Sequence, residues 1–333
     1  MNYYLGIDQG GTKTAAIVCD QRGVILGSAL SPGLVSTYFQ DSDETYIKNI
    51  RIAAEEACGQ AGINLSDISS VCGSLNGADW DFEYPVLKRK LIEAVGCQNA
   101  LVVNDCIGAM RGGTDSKEFA VVCAGSGLNV AVRCEDGREI IYGYYIADED
   151  QGGSALGRAV LRKVMDAHLG LCEETKLTGL TLAFTGHSSA EELMIDLSMQ
   201  RYALQPKDLA ICLLQALRQG DAQSIDITDR FAQSVSRYVI AGLKRFQMLE
   251  HPVPVVFSGS VFKDIGTLVS SYIFKYIQQA SPQAVLVNAS YEPVCGSVLL
   301  LFDKDYPKGI PKAVMHAFEQ SSKKWNLLRN CEF

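Results

Sequence analysis

The sequence predicts an α/β protein made of two related halves. Its 333 residues exceed what a single hydrophobic core usually holds, so two domains are expected. Apolar runs of strand length lead into glycine-rich polar turns at residues 8–14, 124–129 and 258–263. The order strand, glycine-rich turn, strand, turn, strand, helix begins at the N-terminus and is repeated after residue 117. The repeat is one of topology, which predicts a first domain over 1–115 and a second over 116–309.

The N-terminal apolar runs on either side of residues 10–13 predict a β-hairpin with a polar tip. Gly10 and Gly11 carry no Cβ and can take positive φ, which lets backbone N–H groups approach an anion. Hydroxyl and ammonium donors follow at once, from Thr12, Lys13 and Thr14. Asp8 ends the first strand, and a carboxylate beside a phosphate cradle suits a Mg²⁺ ion held through few protein ligands. An ordinary Gly-Gly hairpin with a solvated lysine has the same local pattern.

The remaining elements of the first half alternate between the two periodicities. Capping residues followed by apolar positions at helical spacing predict an amphipathic helix over 43–61. Further apolar runs predict strands at 24–30, 68–74 and 100–103, and a helix ending at Val95 that begins between Asp79 and Pro85. The last of these strands runs directly into Asn104 and Asp105.

The second half has the same opening, then a helical segment. Strands are predicted at 119–123, from the end of the glycine turn 125–127 to residue 132, and at 138–142. An acidic, glycine-containing loop at 147–154 and a helix at 155–168 follow. A helical insertion is expected at about 172–250, ending in a long helix over 229–249. The chain then predicts a strand at 253–257, a helix at 265–279, a strand at 284–287 and helices at 293–302 and 310–325. The last helix is long enough to pack back on the first domain.

Composition limits the class of partner. The net charge is −8 and the pI is about 5.1, with no basic block, which argues against nucleic acid. No apolar run is long enough for a bilayer, and Asp8 interrupts the N-terminus before a signal-peptide core forms, so we expect a cytoplasmic protein without a membrane partner. The eleven cysteines include no C-x-x-C pair and are expected to be packed, reduced thiols.

Five motifs carry a resemblance to a known family. They are, in order, Gly6–Thr14, Asn76-Gly77-Ala78-Asp79, Asn104-Asp105, Gly125-Ser126-Gly127-Leu128-Asn129, and the acidic loop before Leu156-Gly157-Arg158. Together they resemble the BadF/BadG/BcrA/BcrD ATPase family of the actin-like ATPase superfamily, whose best-known soluble members are N-acetylglucosamine kinases. The resemblance spans nearly the whole chain. It implies a two-domain actin-like ATPase (ribonuclease H-like) fold, in which each half is a mixed five-stranded sheet flanked by helices.

The resemblance also implies roles for particular residues. Asp105 would be the general base that accepts the proton of a sugar hydroxyl, although an Asp at this point could simply cap the following helix. The phosphate and adenosine turns would contain the ATP-binding residues Gly10, Gly11, Thr12, Lys13, Thr14, Gly125, Ser126, Gly127, Gly259 and Ser260, with Asp8 holding Mg²⁺. The sugar-binding residues would be Asn76, Gly77, Asn104, Asn129 and a carboxylate of the acidic loop.

The acidic loop departs from the family pattern, and two alignments are open. Alignment from the left makes Asp148 the sugar ligand, whereas alignment backwards from Leu156-Gly157 makes it Glu149 or Asp150. A second departure lies at residues 34–37, Leu-Val-Ser-Thr, where sugar kinases tend to offer an Asn to the ligand.

The resemblance therefore predicts a kinase that uses ATP and Mg²⁺ to phosphorylate an amino sugar, most directly N-acetylglucosamine. The sequence leaves open whether the chain forms a homodimer. One alternative is the ATPase activator of a 2-hydroxyacyl-CoA dehydratase, but Cys123 has no second cysteine at close spacing to help hold an iron–sulfur cluster. The other is a sugar or nucleotide sensor, for which a DNA-binding helix-turn-helix would be expected before the hairpin.

Overall fold

The computed structural model describes residues 1–33, 43–263 and 266–329, which form two compact units. Of the described residues, unit 1 contains those within 1–116 and 289–329, and unit 2 contains those within 117–288. We expected the second domain to extend to residue 309. The helix that begins at Pro293 instead packs on the first strand of unit 1, which moves the boundary back to residue 289.

Each unit contains a five-stranded mixed sheet, as predicted. In unit 1 the order is β3-β2-β1-β4-β5, and in unit 2 it is β10-β9-β6-β7-β8. The first strand of each unit is central, antiparallel to the next strand in sequence and parallel to its other neighbour. The strands are β1 Tyr3–Gln9, β2 Lys13–Asp20, β3 Ile25–Pro32, β4 Ile68–Leu75, β5 Ala100–Asn104, β6 Phe119–Ala124, β7 Leu128–Arg133, β8 Glu139–Ile141, β9 Pro254–Ser258 and β10 Val285–Asn288.

Eleven α-helices are described in these segments. They are α1 Asp43–Ala61, α2 Glu83–Val95, α3 Asp105–Arg111, α4 Gly152–His168, α5 Lys176–Thr185, α6 Ala190–Ser198, α7 Ala210–Arg218, α8 Ala222–Arg245, α9 Thr267–Ala280, α10 Pro293–Asp305 and α11 Lys312–Lys324. The predicted bounds of α1 are reproduced, because periodicity and capping are both local signals. The long helix α8 begins seven residues before the predicted start at 229, because the Asp221 side chain accepts a hydrogen bond from the Ser224 N–H and caps it earlier.

Two apolar cores lie on unit 1, one on each face of its sheet. Helices α1 and α2 cover one face, where Leu5 and Ile7 of β1 are buried. Helices α10 and α11 cover the other, against Tyr4 of β1 and Ile17 of β2. Unit 2 has one core, formed mainly by β6, β7 and helices α4, α7, α8 and α9. Within the described segments no helix combines the length and apolar character needed to cross a membrane.

Helices α3 and α10 approach each other closely through small residues. A Cβ on Gly296 would lie 1.8 Å from the Gly108 carbonyl oxygen, so only glycine fits there. The Ser297 hydroxyl lies 2.7 Å from that of Ser74 and donates to the Ile7 carbonyl at 2.9 Å. The contact fixes α10 beneath the end of β1.

Candidate active site

The C-terminal ends of three parallel strands meet at one edge of the unit 1 sheet. In the register of β1, β4 and β5, Gln9 pairs with Leu75, and Leu75 pairs with Asn104. Asp8, the loop that follows Leu75, and Asp105 are therefore brought to the same edge. Ligands of open α/β sheets bind outside such strand ends.

Asp8 has an environment that resists its negative charge. Burial raises the pKa of its carboxyl group, and the negative charges of Asp105 and Glu292 raise it further, while Lys13 opposes them. The resulting pKa is about 7, against 3.8 for an ordinary aspartate. The carboxylates of Asp105 and Glu292 thus repel the charge of Asp8, and a proton or a cation bound at Asp8 would relieve this repulsion.

The hairpin turn is tightly closed by its own backbone. The Gly10 N–H donates to the Lys13 carbonyl at 3.0 Å, and the Gly33 N–H donates to the Thr12 carbonyl at 3.2 Å. Gly10 does not have a positive φ, although a glycine can take one. Thr14 is buried, and its hydroxyl donates to the Pro32 carbonyl. The exposed residues of the tip are Gly11, Thr12 and Lys13.

The loop after β4 is attached to the start of α3 by Asn104. The Asn104 side-chain amide donates to the Ala78 carbonyl at 3.1 Å and to Asp79 Oδ1 at 3.0 Å, and its Oδ1 accepts from the Cys106 N–H at 3.0 Å. Asn104 is only 1% exposed. We predicted a direct sugar contact for Asn104; the geometry favours a supporting role, because both amide protons are already bonded within the protein.

Asn76 and Gly77 form the turn at the head of this loop. The Asn76 N–H donates to the Gln9 carbonyl at 2.9 Å, which joins the loop to the end of β1, and the Asn76 side chain is half-buried. Gly77 has φ +85°, a conformation that residues with a Cβ rarely adopt. The two predicted sugar residues thus lie at the same sheet edge as Asp8.

In unit 2 the glycine-rich turn after β6 is held by the start of α4. The Gly153 N–H donates to the Gly125 carbonyl at 2.8 Å, and the Ser154 N–H donates to the Ser126 carbonyl at 3.0 Å. A Cβ on Gly152, whose φ is +46°, would lie 2.1 Å from the Gly127 carbonyl oxygen. The glycines at 152 and 153 therefore permit an approach of two backbones that fixes the turn.

The third turn lies against the same strand end. Gly259 has φ +96°, and a Cβ there would lie 2.3 Å from the Ala124 carbonyl oxygen. Ser260 follows it and is exposed. Asn129 lies in β7, half-buried, opposite Cys123 of β6. The predicted turn residues of unit 2 thus gather at one end of its sheet.

The acidic loop divides into accessible and engaged carboxylates. Asp148 and Glu149 are exposed, whereas Asp150 is 6% exposed and accepts a hydrogen bond of 2.6 Å from the Ser234 hydroxyl. Arg158 donates to the Asp148 carbonyl and fixes the loop on α4. Of the three candidates for the sugar ligand, Asp148 and Glu149 have exposed side chains, whereas the Asp150 carboxylate is hydrogen-bonded to Ser234 of α8.

Sequence reasoning missed several residues that shape these sites. Glu292, which acts on Asp8, precedes a helix that the sequence did predict, but nothing local relates it to β1. Gln151 accepts from the Leu128 N–H at 3.1 Å and donates to the Ile146 carbonyl, so its side chain supports the glycine-rich turn of unit 2. Glu83 accepts from the backbone N–H groups of Asp79 and Trp80. Residues 34–37, the second departure from the family pattern, lie outside the described residues.

The described residues provide few ligands for a metal ion. Across 1–33, 43–263 and 266–329, no group of three or more His, Cys, Asp or Glu side chains is placed to hold one. Mg²⁺ differs from metals that need such a cage, since it keeps several waters and takes one or two carboxylates plus phosphate oxygens. The carboxyl of Asp8, crowded by negative charge, fits that kind of site.

Comparisons with known proteins give consistent results. A model of the BadF/BadG/BcrA/BcrD ATPase family matches residues 5–300. The N-acetyl-D-glucosamine kinase of Dictyostelium discoideum is 25% identical over 89% of this chain and 97% of its own length. The N-acetylmuramic acid/N-acetylglucosamine kinase of Clostridium acetobutylicum is 24% identical over 90% and 98%. A ROK family glucokinase of Streptomyces griseus, solved with glucose and AMPPNP, shares the fold with a TM-score of 0.60 at 22% identity, over 89% of this chain and 97% of that one.

Proposed function

The chain belongs to the BadF/BadG/BcrA/BcrD ATPase family, and from that premise we propose that it is a kinase that transfers the γ-phosphoryl group of ATP to a hydroxyl of an amino sugar, most directly N-acetylglucosamine. The relatives that match along most of the chain are named as kinases of such sugars. The observation that carries the proposal is the meeting of Asp8, Lys13 and Asp105 at one sheet edge.

Asp105 is assigned as the general base. Its position at the first residue of α3 is fixed by the Asn104 cap and by the packing of α3 on α10. As the sugar oxygen attacks the γ-phosphorus, the new P–O bond forms, the bond to the ADP oxygen breaks, and the hydroxyl proton passes to the Asp105 carboxylate. Phosphoryl transfer depends mainly on positioning and on neutralisation of charge, which one fixed carboxylate and nearby donors supply.

Unit 1 is assigned the cation and part of the phosphate chain. Asp8 would hold Mg²⁺, directly or through water, and the bound ion would neutralise phosphate charge. The tip residues Gly11, Thr12 and Lys13 are exposed, and the charge of Lys13 acts on Asp8; all three would donate to phosphate oxygens. Gly10 and Thr14 shape the turn, because the Gly10 N–H donates to the Lys13 carbonyl and the Thr14 hydroxyl donates to the Pro32 carbonyl.

Unit 2 is assigned further contacts with nucleotide and sugar. The turn Gly125-Ser126-Gly127 would bind phosphate, and Gly259 with Ser260 would bind the adenosine side of ATP. Asn129 is assigned to the sugar, and of the acidic loop we favour Asp148, with Glu149 as the other accessible carboxylate. In unit 1, Asn76 and Gly77 are assigned to the sugar as well.

A coupled assay of ADP release tests the proposal. The purified chain is incubated with Mg-ATP and one sugar at a time: N-acetylglucosamine, N-acetylmannosamine, glucosamine or glucose. Melting temperatures are measured with the same sugars. We expect sugar-dependent ADP release that is largest for an amino sugar and is abolished by EDTA. Sugar-independent hydrolysis of ATP, or no turnover with any amino sugar, would contradict the proposal. The cytoplasmic location and the homodimer stay predictions, and sedimentation analysis measures the latter.

A further inference from the structure

The loop after β4 contains a set of hydrogen bonds that the proposed roles of Asp8 and Asp105 do not require. The Glu83 carboxylate accepts from the N–H groups of both Asp79 and Trp80, each at 2.8 Å. The Trp80 carbonyl in turn accepts from the Glu83 N–H at 2.9 Å. Two consecutive peptide groups are thereby fixed at the start of α2.

The side chain of Asp79 is fixed independently. Its Oδ1 accepts from the Asn104 amide at 3.0 Å, and the same amide donates to the Ala78 carbonyl. Asn104 immediately precedes Asp105, so the Asp79 carboxylate is joined to the start of α3 by a single side chain. Asp79 is half-buried and is thus positioned without being fully enclosed.

The buried Glu83 carboxylate that fixes this loop is expected to lower the stability of the fold. Glu83 is 0% exposed, its Oε1 has no hydrogen-bond partner among the described residues, and burial raises the pKa of its carboxyl group despite the two N–H donors. A buried carboxylate with an unpaired oxygen weakens a fold. Such arrangements persist where a local geometry is needed for function.

The loop presents two groups that complement a sugar. An aspartate carboxylate accepts hydrogen bonds from hydroxyl or amide N–H groups, and an indole ring packs on an apolar C–H face. Trp80, one of the two tryptophans in the chain, is 37% exposed, so part of its indole ring is open to a ligand. An aromatic surface next to a fixed polar group is the usual composition of small-molecule sites.

We propose that Asp79 and Trp80 form a sugar subsite, in which Asp79 accepts hydrogen bonds from the substrate and the Trp80 indole packs on the pyranose ring, while Glu83 and Asn104 act as positioning residues. This inference rests on the proposed sugar kinase function and deepens it. It assigns the specificity for a polyhydroxylated ring to unit 1 residues beside the general base. The residues assigned to the nucleotide lie outside this loop, so the affinity for ATP should not depend on it.

Tryptophan fluorescence provides a test that does not depend on turnover. The variant Trp325→Phe leaves Trp80 as the single tryptophan, and the variant Trp80→Phe leaves Trp325, whose indole N–H donates to the Ile25 carbonyl away from this loop. Addition of N-acetylglucosamine should produce a saturable change in emission from Trp325→Phe, with a midpoint near the KM for the sugar. Trp80→Phe should give no such change. If the emission of Trp80 in Trp325→Phe does not change at saturating sugar, the proposed subsite is overturned.

Kinetics of three further variants separate binding from positioning. Asp79→Asn and Glu83→Leu should each raise the KM for the sugar about tenfold or more and leave the KM for ATP within about twofold, as expected for lost sugar contacts. Glu83→Gln keeps an acceptor oxygen for the two N–H groups and should restore a nearly normal KM. An equal rise in both KM values, or no rescue by glutamine, would contradict the positioning role.

The two proposals fail in different ways. Turnover of an amino sugar with a silent Trp80 and an unchanged KM in Asp79→Asn overturns the subsite and leaves the kinase intact. A Trp80 response to sugar without ADP release supports the subsite and contradicts the kinase. If Glu83→Leu does not fold, the Trp325→Phe titration and Asp79→Asn still decide the outcome.

Discussion

Replacement of Asp8 by asparagine should make the free protein more stable at neutral pH. The carboxyl of Asp8 has a pKa of about 7 in the folded chain, because of burial and of the charges of Asp105 and Glu292, against 3.8 for an ordinary aspartate. The folded state therefore binds more protons than the unfolded state between about pH 3.8 and 7. The stability contributed at this position falls as the pH rises through that window, and the whole penalty is present above pH 7.

The size of the effect follows from the same values. Each pH unit within the window corresponds to about 1.4 kcal/mol, so from pH 5 to pH 8 the wild-type chain should lose at most about 2.7 kcal/mol relative to Asp8→Asn, which has no titrating group there. Because the Asp8 side chain is half-buried, solvent screening reduces this to about 1–2 kcal/mol. For a unit of this size that is a difference of about 2–8 °C in Tm.

Calorimetry at pH 5 and pH 8, without nucleotide and with EDTA, measures the difference between variant and wild type. The variant's advantage should be larger at pH 8 than at pH 5. Asp115→Asn, a change at an exposed aspartate of the same unit, is the control and should have no pH-dependent effect. An advantage that is equal at both values, or larger at pH 5, would refute the electrostatic account of Asp8. The same variant should bind Mg-ATP more weakly, since the cation loses its carboxylate.

Four further changes test other parts of the site. Asp105→Asn should lower kcat by about two orders of magnitude or more with nearly normal ATP affinity, as expected for a lost general base, and unchanged turnover would remove Asp105 from the mechanism. Gly11→Val should weaken Mg-ATP, measured by calorimetric titration, because a side chain at the exposed tip would obstruct the phosphates; wild-type affinity would contradict the assignment of the hairpin. Gly259→Ala places a Cβ 2.3 Å from the Ala124 carbonyl oxygen at φ +96° and should lower both Tm and nucleotide affinity, whereas Gly179→Ala, in an open helical position, should leave nucleotide affinity unchanged and should not lower Tm. Gly296→Ala should lower the free energy of unfolding by about 2 kcal/mol or more through its contact with Gly108, while Gly59→Ala, with no neighbour within 4 Å, should raise it by about 0.5–1 kcal/mol in urea titrations.

Support for the kinase comes from relatives, and the fold alone does not distinguish an enzyme from a sensor. One fold can host both enzymes and binding proteins, so function depends on the residues of the site. The distinction therefore depends on the carboxylates at the unit 1 sheet edge and on the measured release of ADP. The dehydratase-activator alternative is not retained, because the curated relatives matched along the chain are named as amino sugar kinases.

The sequence by itself determined the order of elements and the positions of the glycine-rich turns. Helix α1 was predicted with its observed bounds, and β1 and β5 each end one residue later than predicted, at Gln9 and Asn104. These features depend on side-chain periodicity and on capping, which act over a few neighbouring residues. The five motifs in order were sufficient to indicate the family.

Only the tertiary structure decided which polar groups are available to a ligand. Asn104 had the sequence context of a sugar ligand, but Ala78 and Asp79, far away in the chain, occupy its amide. Among the acidic residues at 148–150, burial against α8 engages Asp150 and leaves the other two exposed. The raised pKa of Asp8 likewise depends on Asp105 and Glu292, which sheet order and the packing of α10 bring to it. Desolvation and long-range charge are properties of the assembled fold, so no local pattern of residues encodes them.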